Sequence, residues 1–308
     1  MRAIQLTRFG APSVLVPVEL PDPRPTGNQV LIDVEAVSIS FVETQIRAGR
    51  PPGPFPRPEP PFVPGNGVGG VVSAVGPGAD EGLIGRRVFG TTGGRGGYAS
   101  KAAVNVADVV PIPDELSTPD AVGLATDGRT AVGLFRLAAP VAGEWVLVEA
   151  AAGGLGSLLV QLALGVGANV IGAVGNRRKA DVVSDGASTV EYDEPGWADR
   201  VRELSGGLDL VFDGVGGEIG ATAAGLVKPG GRFVIHGGAG GSMTDPASVP
   251  GRVLTLRDVT GTVPELAAAA LASGLKPLIG QVFPLERAAE AHAAIEARAT
   301  VGKTLLLV

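Results

Sequence analysis

The run Ala150-Ala151-Ala152-Gly153-Gly154-Leu155-Gly156 follows an apolar stretch, Trp145-Val146-Leu147-Val148, and leads into another apolar stretch from Leu158 onward. A glycine-rich turn between a buried strand and a helix is built to hold phosphate: free N–H groups and the positive helix end face the anion. Gly153 is placed to let the backbone approach a pyrophosphate, and Gly156 to let the helix pack on the strand. Gly154 and Leu155 complete the expected phosphate contacts, while Ala151 stands where G-x-G-x-x-G has its first glycine. The loop alone is a weak signal, but its place inside a strand–loop–helix–strand unit from Trp145 to Arg178 predicts dinucleotide binding. About twenty residues on, an NAD site carries a carboxylate for the ribose hydroxyls. Here the strand Val170-Ile171-Gly172-Ala173-Val174 ends in Gly175-Asn176-Arg177-Arg178-Lys179. Cations at that strand end suit a 2′-phosphate, which arginine grips in a bidentate way, so Asn176, Arg177, Arg178 and Lys179 predict NADP(H). The alternative is a solvated basic helix start, an arrangement the helix dipole disfavours.

Composition narrows the chemistry further. The chain has no cysteine and two histidines, His236 and His292, far apart in sequence, so zinc lacks its usual donors and no metal ligand is assigned. Disulfides and thiol nucleophiles are excluded. A net charge of -6 with scattered Lys and Arg argues against nucleic acid or an anionic lipid surface as partner and favours a small molecule. The opening Met1-Arg2-Ala3-Ile4-Gln5-Leu6 alternates like a strand rather than a signal segment, so the expected location is the cytoplasm. The longest apolar stretch, Leu158 to Val174, contains Gln161, Asn169 and glycines, and is expected to be a helix and strand rather than a membrane span.

Stepping along the chain, Arg2–Leu6, Val14–Glu19, Val30–Ser38, Val68–Val75 and Arg87–Phe89 have the composition of strands between Pro/Gly turns. The proline-dense stretch Arg50 to Gly65 is an extended loop, either the rim of a cleft, a stiff connector or a ligand for a proline-binding module. Ser117-Thr118-Pro119-Asp120 starts a helix to about Ala138. Beyond it strands and helices alternate: strands at 145–150, 169–174, 189–192, 208–213 and 232–237, with helices at 154–165, 178–185, 197–204 and 218–226. That texture predicts an α/β chain with a doubly wound parallel sheet. Val253–Leu256 is a further strand, Pro264–Ser273 and Leu285–Arg298 further helices, and Lys303–Val308 a closing strand.

The chain resembles the zinc-independent quinone oxidoreductase, zeta-crystallin-like branch of the medium-chain dehydrogenase/reductase superfamily. The resemblance rests on Met1-Arg2-Ala3, the loop from Ala151 to Gly156, Phe212-Asp213-Gly214-Val215-Gly216-Gly217, Gly230-Gly231-Arg232 and Gly302-Lys303-Thr304. It covers essentially the whole chain. It implies a GroES-like β-rich catalytic domain (1–118 and 272–308), a Rossmann domain (119–271), an active site in the cleft, and a homodimer joined at sheet edges, with Val253–Leu256 the candidate edge. Thr130 then aligns with a threonine near the nicotinamide, Tyr192 with the residue closing over the adenosine end, Val215 with a cofactor contact, and Arg298 with a family arginine on the cofactor or else a surface arginine. His236-Gly237-Gly238 lies at a strand's carboxyl end, where ligands collect, although His236 is also readable as a plain strand-end histidine.

The segment Ser40-Phe41-Val42-Glu43-Thr44-Gln45 departs from the family pattern of Asn, acid and Tyr: Ser40 replaces the Asn and Gln45 the aromatic. Gly67 occupies the place of a usual acidic residue. The resemblance implies an NADPH-dependent reductase passing hydride to a quinone or conjugated enone, acceptors that need no strong Lewis acid. Ser40 or Gln45 is expected to hydrogen-bond the substrate oxygen, with water supplying the proton, unless Ser40 is only bonded to backbone. An enoyl reductase of a biosynthetic pathway and a non-catalytic NADP(H)-binding protein are the alternatives.

Overall fold

β-Branched and aliphatic residues at the start of the chain build antiparallel strands. In the computed structural model, which describes residues 1–51 and 58–308, the chain divides into two units, Met1–Arg129 with Val263–Val308, and Thr130–Thr262. In the first unit β1 (Arg2–Leu6) and β2 (Leu15–Glu19) form an antiparallel pair. The long β3 (Gln29–Ile39) is followed by helix α1 (Phe41–Arg47), β4 (Gly67–Val75), β5 (Arg87–Thr91), β6 (Lys101–Asn105) and β7 (Val109–Pro111). Residues 52–57 of the proline-dense stretch lie outside the described residues, and its end pairs with β1 through Leu6 and Phe62. The expectations for that stretch are neither met nor overturned. Ile4, Leu6, Val30, Ile32, Val34, Val37, Val68, Val72 and Val88 are all buried in one cluster. Each such side chain contributes about 1.5–3 kcal/mol by leaving water.

Helix α2 (Thr118–Ala138) runs as the sequence predicts, and the division between the units falls within it. In the second unit come β8 (Trp145–Glu149), α3 (Gly154–Gly165), β9 (Asn169–Val174), α4 (Arg177–Ala180), β10 (Ser188–Glu191), α5 (Trp197–Ser205), β11 (Leu208–Asp213), α6 (Gly217–Ala224), β12 (Val227–Ile235) and β13 (Arg252–Thr255). The six strands are parallel in the order β10-β9-β8-β11-β12-β13. A sheet with helices on its faces must bury its strands on both sides, which is why Val146, Leu147, Val148, Ile171, Val211 and Phe212 are unexposed. The chain then returns to the first unit with α7 (Val263–Leu271), β14 (Ile279–Pro284), α8 (Ala288–Glu296) and β15 (Lys303–Leu307). β15 lies antiparallel to β3, with Thr304 opposite Ile39, so the last strand of the chain completes a sheet begun by the third.

Three local expectations are corrected. α4 is a single turn instead of a helix to Asp185, because β-branched Val182 and Val183 and the turn formers Ser184-Asp185-Gly186 oppose its continuation. Residues 41–47 form a helix that the reading of Ser40 to Gln45 did not include. The strands β6, β7 and β14, of five, three and six residues, are too short to show a clear alternation in the sequence. Among the described residues no helix is long and apolar enough to cross a membrane.

Candidate active site

In the second unit, the phosphate loop sits at the carboxyl end of β8, with Gly153 as the N-cap of α3 and its amide donating to Ala150 O at 2.8 Å. Ala150 takes a left-handed conformation, φ 50, the turn conformation that glycine usually supplies. A Cβ on Gly156 would stand 2.3 Å from the Ala150 carbonyl oxygen, so the helix approaches the strand end as closely as the sequence demands. Gly154 and Leu155 are half-buried in the first turn of α3. Asn176 caps α4, its side chain accepting from Lys179 N at 3.2 Å. Arg177 and Arg178 are exposed beside it, and the Arg177 guanidinium is 3.9 Å from Glu191, too loose and too wet a pair to fix it. The Tyr192 amide donates to Val174 O at 2.9 Å, at the same strand end as this basic turn.

The ends of β8, β11 and β12 hold a buried acid pair that the loop motif gave no hint of. Glu149 and Asp213 have no exposed surface. The Val215 amide donates to Glu149 Oε2 at 3.1 Å, the Gly216 amide to Asp213 Oδ1 at 2.7 Å, and Thr244 Oγ1 to Asp213 Oδ2 at 2.6 Å. Burial, then the Asp213 charge, push the Glu149 carboxyl well above the usual carboxylate range. His236 follows β12 with its amide on Asp213 O at 2.9 Å. Burial lowers its imidazole to about 4 against the pull of Asp213, leaving a neutral ring whose Nε2 has no partner in the structure. Gly237 and Gly238 follow, half-buried, and Val215 is buried. Thr130 is half-buried in α2 at the start of the second unit.

In the first unit, Ser40 caps α1: its amide donates to the Glu43 carboxylate at 2.6 Å, the reciprocal half of a capping box. Glu43 is buried, and its carboxyl is raised to about 7 by that burial, against the amide bonds from Ser40 and Asn66 and the charges of Lys303 and Arg129. Lys303, at the start of β15, donates to Asp127 Oδ1 at 2.8 Å and reaches Ser40 Oγ at 3.4 Å. Gln45 also lies on α1, where its amide nitrogen donates to Thr44 Oγ1 at 3.1 Å. Gly67 explains its own departure from the family pattern: a Cβ there would meet Thr126 Oγ1 at 2.6 Å and Ser38 Oγ at 2.7 Å, two hydroxyls bonded to each other. No side chain fits. Arg298 is exposed just beyond α8, with φ 53.

Sequence reasoning did not single out Glu149, Asp127, Arg129 or Lys303, which the structure places beside the candidate residues. The available signal was a charge embedded in an apolar strand, as in Trp145-Val146-Leu147-Val148-Glu149, since an ionisable side chain is seldom fully buried without a partner. Among the described residues no group of three His, Cys, Asp or Glu side chains is arranged to hold a metal ion, and His292 Nε2 is bonded to Tyr98 at 2.9 Å.

Residues 26–114 match the alcohol dehydrogenase GroES-like domain family, and residues 180–306 match the family described as zinc-binding dehydrogenase. The quinone oxidoreductase of Sus scrofa is 33% identical over 326 residues, covering 100% of this chain and 98% of that protein. Among solved structures, mycobacterial Rv1454c complexed with NADPH is 31% identical with a TM-score of 0.88, covering 100% of both chains. The Escherichia coli quinone oxidoreductase complexed with NADPH is 27% identical, also with a TM-score of 0.88 and 100% of both chains covered.

Proposed function

Because the chain belongs to the zeta-crystallin-like quinone oxidoreductase branch of the medium-chain dehydrogenase/reductase superfamily, we propose that this NADPH-dependent oxidoreductase passes hydride to a quinone or conjugated enone without a metal. The observation that carries the acceptor class is the Ser40 hydroxyl, a neutral donor at the head of α1 with a lysine behind it and no metal donor set beside it. A quinone or enone spreads the incoming charge onto an oxygen, and one hydrogen bond there favours the product side without a Lewis acid. Gln45 is the weaker partner, because its amide is already donating to Thr44.

NADPH, when bound, supplies the hydride. The loop Gly153, Gly154, Leu155 and Gly156 would hold the pyrophosphate through backbone N–H groups and the α3 terminus. Asn176, Arg177, Arg178 and Lys179 would take the 2′-phosphate, with Tyr192 beside the adenosine end. Thr130, Val215, His236, Gly237, Gly238 and Arg298 would complete the cofactor contacts. Neutral His236 is suited to bonding an amide rather than to adding charge, since burial keeps it uncharged. Glu149 and Asp213 support the Val215-Gly216 amides from below rather than meeting the ligand. The proton that completes reduction comes ultimately from water.

The test is NADPH oxidation with naphthoquinone and with methyl vinyl ketone, each with and without a strong chelator. Chelator-insensitive turnover of either acceptor is expected. NADPH binding without oxidation by any quinone or enone would favour a non-catalytic NADP(H)-binding protein, and turnover lost to the chelator would overturn the metal-free reading. A homodimer belongs to the same proposal, joined through the edge strand β13, whose outer side has no neighbour in the sheet. A solution mass of one 30.8 kDa chain would contradict it.

A further inference from the structure

Lys303 is 4% exposed, an unusual position for an ammonium. One ion pair, to Asp127 at 2.8 Å, would serve to satisfy its charge. The same Nζ also reaches Ser40 Oγ at 3.4 Å, and Ser40 is only half-buried, at the N-cap of α1. Asp127 and Arg129 on α2 and Glu43 on α1 are the charged groups about it. The two ends of the chain are brought together to make this contact, through the antiparallel pairing of β15 with β3.

We propose that Lys303 is the proton reservoir of the reaction, acting through Ser40. The inference rests on the reduction argued above, in which Ser40 bonds the acceptor oxygen. The bound dinucleotide would supply a hydride, two electrons with their proton, to the acceptor carbon and would itself be left oxidised, with negative charge on the acceptor oxygen. The Ser40 O–H bond breaks as the acceptor O–H bond forms, and a Lys303 N–H bond breaks as the Ser40 hydroxyl is restored. Asp127 holds the Lys303 side chain in place through its 2.8 Å hydrogen bond. Neutral Lys303 then regains its proton from water after product leaves. In this account Lys303 is a positioning and proton-supplying residue, and Ser40 is the group that touches substrate.

The experiment compares wild type with Lys303→Met in naphthoquinone reduction, with NADPH affinity measured alongside. The expected result is a kcat lower by about 100-fold, the usual worth of a positioned acid, with NADPH affinity unchanged. In mixtures of light and heavy water the wild-type rate should fall along a bowl-shaped curve, because two protons move together, whereas Lys303→Met should give a straight line. Unchanged kcat in Lys303→Met, or a straight line for wild type, overturns the relay while the reductase reading stands. If Lys303→Met does not fold, the wild-type curve alone decides. Should wild type reduce neither naphthoquinone nor methyl vinyl ketone, the reductase reading falls and the relay with it.

Discussion

The two units differ in how their candidate functional groups are held. In the second unit the groups proposed to hold the cofactor are mostly main chain: a Gly153–Gly156 turn, strand-end amides, and a basic turn contiguous in sequence at 176–179. In the first unit the clustered groups are side chains drawn from distant positions, Ser40, Glu43, Asp127 and Lys303, set by sheet pairing and two helices. A backbone device tolerates almost no added volume, whereas a side-chain device tolerates volume but depends on charge balance. The contrast predicts different failures in the two places.

The largest effect is expected at the backbone. Gly156→Ala would put a Cβ 2.3 Å from the Ala150 carbonyl oxygen, where only main chain can yield. We expect a loss of about 3 kcal/mol or more in denaturant unfolding, together with weakened NADPH binding. A variant that binds and unfolds like wild type would break the comparison.

The charge balance of the first unit should show itself through pH. The Glu43 carboxyl is raised from 4.5 to about 7, so between those values the native state keeps a proton that the unfolded chain has released. Stability therefore falls as pH rises through that window, by about 3 kcal/mol, and stays lost above it. The two buried histidines act in the opposite sense: His236 is lowered to about 4 and His292 to about 3 from 6.5, so their contribution is present above 6.5 and lost as pH falls. Comparing Glu43→Gln with wild type isolates the first effect. Gln accepts the Ser40 amide bond without a charge, and the variant should be the more stable above about pH 7 and lose the advantage near pH 4.5. A constant difference across the range would contradict the assignment.

A smaller effect is expected in the core beneath. Tyr98 is fully buried with its hydroxyl 2.9 Å from His292 Nε2, and His292 Nδ1 has no partner in the structure. Tyr98→Phe would strand the second ring nitrogen, costing about 1–3 kcal/mol in unfolding free energy with no change in NADPH affinity. A change in cofactor affinity would show that the network reaches further than its hydrogen bonds do.

The same contrast explains what could be read from the chain alone. The βαβ texture, the glycine-rich turn into α3 and the edge strand were legible because parallel strands are continuous apolar runs and the turn is local in sequence. The Glu149–Asp213 pair was not, because it joins strands 64 residues apart, from Glu149 to Asp213, through burial that no spacing reveals. Lys303 was noticed only as part of a family motif, since its partners Asp127 and Ser40 lie 176 and 263 residues away. Helix α1 was not legible because only seven residues form it, too few to show a helical period, although Ser40 and Glu43 form a capping box at its start.

We propose that the basic turn after β9 selects NADP(H) over NAD(H). Fluorescence titration of NADPH and NADH into wild type and into the Arg177→Ala/Arg178→Ala double variant tests it directly. NADPH should bind wild type at least about tenfold more tightly than NADH, a difference of about 1.4 kcal/mol, and the preference should vanish in the double variant. Equal affinities in wild type would contradict the account.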